Sequence, residues 1–180
     1  GRFYTLGVDK LPCGNSHGEP LRLMMEFSND QDMVRLLVHD PARKLLVAAS
    51  DGRGFVVAES DVIAQTRNGK QVLNVSGVAE AKICVSVAED ADFVAVVGIN
   101  RRLLIFPLSE LPVMARGRGV ILQKYKDGGL SDVRAFALAE GLIWKSGPAT
   151  RTEKELGGWV GKRAAAGRLP PRGFPKSNRF

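Results

Sequence analysis

Nucleophilic catalysis needs a Ser or Cys beside a base that a third group orients. The nearest Ser/His pair, Ser16-His17, sits in a Gly-rich turn and has no third member. The other histidine, His39, precedes Asp40-Pro41 in an expected turn. Two histidines and two scattered cysteines, Cys13 and Cys84, make a poor ligand set for a metal. Gly158-Trp-Val-Gly161-Lys162-Arg163 approximates a phosphate loop, but its first Gly is misplaced and Arg163 stands where Ser or Thr would be needed. Gly52-Arg-Gly54 is part of a dinucleotide fingerprint, yet it reads as a hairpin turn rather than the start of a helix. No catalytic residue and no metal ligand is therefore expected.

The chemistry that the spacing does support is binding of a polyanion. Arg116-Gly-Arg118-Gly precedes Lys124-Tyr-Lys126, and the span 113–126 contains no acid. Glycines allow close backbone approach, and the Arg fork matches phosphate geometry. Arg67 and Lys70 flank the corresponding turn one repeat earlier, while Arg53 and Arg101-Arg102 fall in successive hairpin turns. Lys162 and Arg163 extend the set. Basic residues at equivalent loops would form a curved rim that follows phosphates rather than reading bases. Asp30, Asp32, Glu89, Asp90 and Asp92 are expected on a different edge.

Those loops need a repeating scaffold, and the chain repeats. A Gly followed three residues later by an apolar residue occurs at Gly18/Leu21, Gly69/Val72 and Gly117/Val120, spaced by 51 and 48 residues. A weaker fourth copy runs from Gly141 to Gly167, 50 beyond Gly117. Each unit reads as short β-strands between turn residues, with Asp51-Gly52 and Asn68-Gly69 as hairpin signals. Val78–Ala91 could pass for a helix, but Ile83-Cys-Val85-Ser-Val87 favours a strand. Asp9, Asp61 and Glu110 recur at corresponding positions and read as turn or cap residues. Phe55, Phe93, Phe106 and Trp144 are expected in the core; Trp159, among glycines and cations, is a candidate for another role. A four-stranded unit of about 50 residues fits propeller blades. The fold class expected is all-β: a partial or open ring of about three and a half blades over residues 1–167, the first truncated, with a basic tail at 168–180.

Charge separates along the chain. Residues 1–141 contain 17 basic and 17 acidic residues, whereas 142–180 contain nine basic residues and two acids, the whole net charge of +7. Such one-sidedness points to nucleic acid first and a membrane surface second, or else to a solubilising tail. Pro170-Pro171 and the small residues Ala164–Gly167 predict a loosely held tail whose charges count for less than those of the rim. No apolar run reaches the roughly 18–20 residues of a membrane span. The start Gly1-Arg2-Phe3 reads as the inside of a strand, so a piece of a longer protein is expected, and Cys13 and Cys84, too few for a disulfide framework, make a reducing, cytoplasmic setting the expectation.

Taken in order, Gly1-Arg-Phe-Tyr-Thr-Leu, His17-Gly-Glu-Pro-Leu, Leu46-Val-Ala-Ala-Ser-Asp-Gly-Arg-Gly-Phe55, Asn68-Gly-Lys70 and Leu104-Ile-Phe-Pro-Leu-Ser-Glu-Leu-Pro112 resemble the C-terminal domain of the A subunit of topoisomerase IV. Gyrase has a related domain with a Gln-Arg-Arg-Gly-Gly-Lys-Gly type box; only Ala115-Arg-Gly-Arg-Gly119 echoes it here, which favours topoisomerase IV. The resemblance implies a β-pinwheel whose blades exchange an outer strand and whose basic rim binds and bends duplex DNA. It implies no cofactor in this segment, with ATP and Mg used by the full enzyme. It further implies partnership with the B subunit and a second A subunit through other domains, in a bacterial, nucleoid-associated setting. The competing expectation is a propeller-type protein-interaction module with a solubilising basic tail.

Overall fold

The run Leu45-Leu-Val-Ala-Ala49 is apolar at every position, which suits a strand covered on both faces. A computed structural model describes all 180 residues and shows both covers. Strands β1 to β11 span Arg2–Phe3, Lys44–Ala49, Arg53–Ala58, Lys70–Gln71, Ala81–Val87, Phe93–Gly98, Leu103–Pro107, Val120–Ile121, Leu130–Phe136, Leu142–Ser146 and Ala149–Glu153. The strands form a four-stranded sheet β5-β2-β3-β8, a three-stranded sheet β7-β6-β9, and the pairs β1-β4 and β10-β11. All named pairings are antiparallel.

Alternate residues of β2 enter different cores. Leu46 and Ala48 pack with Val94, Val96, Leu104 and Phe106 of the neighbouring sheet. Leu45, Val47 and Ala49 pack with Phe55, Val57, Val72 and Leu73 on the other side. The second sheet repeats this, sending Ala95, Val97, Leu103 and Ile105 against Leu142, Trp144, Leu156 and Phe174. Phe55, Phe106 and Trp144 are buried as expected; Phe93 is half-buried at the margin of the last cluster.

The hairpins turn in one way. Asp51 Oδ1 accepts the Arg53 backbone N–H at 3.1 Å, and Asn100 Oδ1 accepts that of Arg102 at 3.1 Å. Between them Gly52 adopts φ +87°, a conformation that Arg101 shares at +62°. Val8–Lys10, Glu59–Asp61 and Leu108–Glu110 form matching 3-10 turns after the outer hairpin strands. Asp9, Asp61 and Glu110 thus occupy turns, as their recurrence predicted.

Three local expectations are corrected. Asn68-Gly69 does not close a hairpin; it leads into β4, which pairs with distant β1. Helix is minor, but the segment after Gly18 contains its one α-turn, Leu21–Met24 (α1), instead of a strand. The tail is not loose. Pro171, Phe174 and Asn178 are buried, and Phe174 stacks edge-on against Trp144 with ring centroids 5.5 Å apart.

Candidate nucleic-acid interface

Each blade edge is completed by a short segment from the following repeat. Phe3 pairs with Lys70, Gly54 with Val120 and Leu103 with Arg168. One residue before each partner lies a glycine with positive φ: Gly69 at +74°, Gly119 at +77° and Gly167 at +80°. A β-carbon on any of them would strike the backbone it crosses, at 2.7 Å from Phe3 O, 2.2 Å from Gly54 O and 2.6 Å from Leu103 O. Both φ and contact exclude a side chain there. The repeat landmark is therefore Gly119 rather than Gly117, which instead bridges to Leu73.

These crossings gather cations. At the first, Arg2 Nη1 donates to Asn68 O at 3.0 Å beside exposed Arg67 and Lys70. At the second lie Arg53, Arg116 and Arg118; Arg118 reaches Asp51 at 3.7 Å with half its side chain exposed. At the third, Arg102 Nη1 approaches Gly167 O at 3.4 Å, and Lys124 donates its backbone N–H to Ala165 O at 3.2 Å. Lys162, Arg163 and Arg168 belong to the same segment.

The candidates differ in availability. Lys70, Arg116, Lys124, Lys126 and Lys162 are exposed, Arg53 is half-buried, and none of their side chains has a hydrogen-bond or ion-pair partner in the chain. Arg67 Nη2 donates to Leu23 O at 3.0 Å and remains exposed. Arg163 is committed inward: Nη1 donates to Ile121 O at 2.7 Å, and its backbone N–H donates to Glu110 at 3.0 Å. Arg101 is committed too, donating to Pro175 O at 2.9 Å and Asn178 Oδ1 at 3.1 Å. Trp159 is half-buried against the last core and donates its indole N–H to Leu169 O at 2.7 Å.

Tyr125 fixes the turn that displays Lys124 and Lys126. Its ring occupies the space that β-carbons on Gly52 and Gly98 would need, at 2.6 and 2.7 Å. Burial, with a smaller contribution from the Asp51 charge, raises the pKa of its hydroxyl. The ring thus wedges two hairpins apart while its lysine neighbours face water.

Several of the expected acids lie at the opposite ends of the sheets, although exposed Asp51, Glu80 and Asp127 stand at the hairpin end. Exposed Glu89, Asp90 and Asp92 lie between β5 and β6, and exposed Glu140 follows β9. The register puts these turns beyond Lys44, Val87, Phe93 and Phe136, away from the Asp51 and Asn100 hairpins. Asp30 and Asp32 depart from the expected arrangement. Asp32 pairs with Arg22 at 3.8 Å, and Arg22 belongs to the α1 segment whose Leu23 carbonyl receives Arg67.

Sequence reasoning missed Arg2, although Gly1-Arg2-Phe3 lines up with Gly52-Arg53 and Arg101-Arg102. It also missed a buried carboxylate. Glu59 accepts from Arg43 Nη2 at 2.9 Å and from the Asp40 backbone N–H at 2.9 Å, with His39 Nδ1 at 3.3 Å. Burial pushes this carboxyl up, but hydrogen bonds from Arg43 and Asp40, with the Arg43 charge, outweigh it and keep its pKa below the ordinary value. The cluster anchors the loop entering β2 at the acidic end. Its partners lie 16 to 20 residues apart, which no local spacing reveals.

Comparison with known proteins agrees with this geometry. The family described as "DNA gyrase C-terminal domain, beta-propeller" matches residues 43–79 and 100–135. The DNA topoisomerase 4 A subunit of Rickettsia bellii (strain RML369-C) is 43% identical over 180 residues, covering all of this chain and 24% of that protein. The same-named protein of Caulobacter vibrioides is 43% identical over 181 residues, again 24% of its length. The solved structure of the E. coli ParC C-terminal domain is similar with a TM-score of 0.83 and 25% identity, covering 98% of this chain and 75% of that one. A DNA gyrase A C-terminal domain shares the fold at a TM-score of 0.62 and 16% identity, over 89% of this chain and 55% of its own. The chain spans about a quarter of the length of the curated relatives it matches, 24% in both cases.

Proposed function

We propose that this chain, which belongs to the family of DNA topoisomerase 4 A subunits, binds duplex DNA along its blade crossings and bends it. One observation carries the reading: successive strand crossings present cations without protein partners, Lys70, then Arg53 and Arg116, then Lys124 and Lys162. A duplex offers phosphates at regular intervals, so a regular cation array gains contacts wherever the DNA follows it. Contacts of this kind set position and curvature and are indifferent to base identity. Smoothly bending 20–30 base pairs costs on the order of 1–6 kcal/mol, which additional phosphate contacts along the curve offset.

The bent duplex is presented to a strand-passage core in parts of the longer protein outside this chain. Those parts would handle ATP and magnesium and meet the B subunit and a second A subunit. The setting is the bacterial cytoplasm, at the nucleoid. No helix of the chain is long and apolar enough to cross a membrane.

Fluorescence anisotropy on a random duplex across a salt series tests the proposal. With about four to six phosphates neutralised, log K should fall against log salt with a slope of roughly −4 to −5. Arg53→Ala, Arg116→Ala and Arg118→Ala together should weaken binding by about 1–3 kcal/mol. End-labelled duplex should show its ends approaching on binding. A flat salt response, or strong preference for one sequence, would overturn the reading in favour of a protein partner or base readout.

A further inference from the structure

The last residues of the chain form a strap laid across the second sheet, and its side chains alternate in destination. Pro171, Phe174 and Asn178 turn inward and are buried, whereas Arg172, Lys176 and Arg179 are exposed and have no partner in the chain. The anchors are numerous. Trp144 donates its indole N–H to Gly173 O at 3.2 Å, Ser131 Oγ donates to Asn178 O at 2.7 Å, and the Phe180 backbone N–H donates to Asp132 Oδ2 at 2.9 Å. Phe180 stacks edge-on against Phe174 at 5.6 Å. Asn178 Nδ2 donates to Ile99 O at 3.2 Å, which ties the strap to the same hairpin that carries Arg101.

Arg101 is the staple. Its guanidinium reaches Pro175 O, Asn178 Oδ1 and, more distantly at 3.4 Å, Phe174 O. Three acceptors within five residues fix the strap's direction, which a planar fork does better than a point charge. Exposed Arg151 of β11 joins the outer face, its guanidinium lying over Gly173 where a β-carbon would come within 2.6 Å. Asp132, the acid that touches the strap, already accepts the Phe180 and Val133 backbone N–H groups.

We infer that residues 171–180, joined by Arg151 of β11, form a second, ordered phosphate-binding surface made of Arg151, Arg172, Lys176 and Arg179, and that Arg101 positions it without touching nucleic acid. The inference rests on the DNA-binding reading above. Its physical basis is preorganisation. A free tail would lose chain entropy on binding, whereas this strap is ordered beforehand, so each of its charges counts nearly as fully as a charge on the blades. The strap adds three cations and no acid to the last repeat, so it would extend the grip beyond the third crossing.

The test compares the parent with three variants of the whole chain on one random duplex. The first variant combines Arg172→Ser, Lys176→Ser and Arg179→Ser; the others are Arg101→Met and Arg101→Lys. The triple variant removes only exposed side chains and should stay folded. Its slope of log K against log salt should become shallower by about 2–3, near 0.9 for each phosphate lost. Arg101→Met and Arg101→Lys should both speed amide hydrogen exchange at Phe174 and Asn178 and lose a comparable share of the slope. Arg101→Lys keeps the charge, so its failure to rescue marks positioning rather than direct contact. A triple variant with the parent's slope and affinity overturns the inference, as does an Arg101→Lys protein that binds like the parent while its strap exchanges freely. If Arg101→Met does not fold, the triple variant decides. A parent without salt-dependent binding takes down both readings; a parent that loses binding only with Arg53, Arg116 and Arg118 replaced takes down the strap alone.

Discussion

Gly119 crosses Gly54 so closely that a β-carbon at 119 would fall 2.2 Å from the Gly54 carbonyl oxygen. This approach, with φ at +77°, lets β8 leave its own repeat and complete the sheet of β2 and β3. Gly117 is different. Its β-carbon would meet only the terminal methyl of Met114, a flexible group that can move. Gly119→Ala should therefore cost about 2–4 kcal/mol, combining a strained backbone with a backbone clash. Gly117 also holds a positive φ, +156°, so Gly117→Ala should cost about 1–2 kcal/mol from backbone strain alone. Urea unfolding of both variants checks the order, and a Gly117 variant that is the less stable of the two would sink the strand-crossing account.

The buried Glu59 predicts a dependence on acid. Its side chain is 3% exposed and its main ionic partner Arg43 is 26% exposed. Removing one member of a buried pair leaves the other charge uncompensated, so Glu59→Gln should cost about 2–3 kcal/mol near neutral pH. The folded carboxyl titrates below its ordinary value. Its contribution is thus complete above the unfolded Glu pKa of about 4.3 and fades as pH falls through the lower folded value. The stability gap between parent and variant should narrow between about pH 5 and 3. A gap that stays constant over that range would show that Glu59 acts by packing alone.

Blade architecture was legible because it depends on local patterns. Continuous apolar runs such as Leu45–Ala49 and turn pairs such as Asp51-Gly52 declare strands and hairpins within a few residues. The strand exchange was not legible in the same way, because the pairing of Phe3 with Lys70 joins residues that share no local spacing. The period of about 50 residues located the crossings approximately, but Gly117 and Gly119 both fit it, and only backbone contact separates them. Among cations, the pattern made Arg101 and Arg102 equals. Their roles diverge because the φ of Arg101 turns its side chain toward a strap 73 to 77 residues away. The strap itself looked loose from Pro170-Pro171, since the anchors Phe174 and Asn178 gain meaning only beside Trp144 and Arg101.

The two thiols should react very differently. Cys13 is exposed, whereas Cys84 lies half-buried in β5, where burial pushes its thiol up to about 11. Only the thiolate reacts, and at about pH 8 almost none of Cys84 is in that form. One equivalent of a thiol reagent should add quickly to native protein, mapping to Cys13, and the second only on unfolding. Fast native modification at Cys84 would mean that the sheet around β5 opens more readily than its pairing with β2 indicates.

Lys162 and Arg163 are neighbours with the same formal charge, yet their surroundings assign them different work. Lys162 is exposed and its side chain makes no hydrogen bond or ion pair, so its ammonium is available to a phosphate and contributes little to the fold. Arg163 gives Nη1 to the Ile121 carbonyl at 2.7 Å and so ties the third crossing to β8 at the second. Its charge serves the geometry. Lys162→Ala should leave unfolding free energy within about 0.5 kcal/mol of the parent, as expected for a surface position. It should also weaken duplex binding several-fold and make the salt slope shallower by about 1. Arg163→Ala should cost about 1–3 kcal/mol of stability through a lost charged hydrogen bond and a carbonyl left without its donor. Its binding loss should shrink in conditions where the variant is fully folded, such as low temperature, because the contact it lost is internal. Measuring unfolding and anisotropy on both proteins separates the roles. If Arg163→Ala is as stable as the parent and binds DNA more weakly than Lys162→Ala, Arg163 faces the duplex and the inward hydrogen bond is incidental.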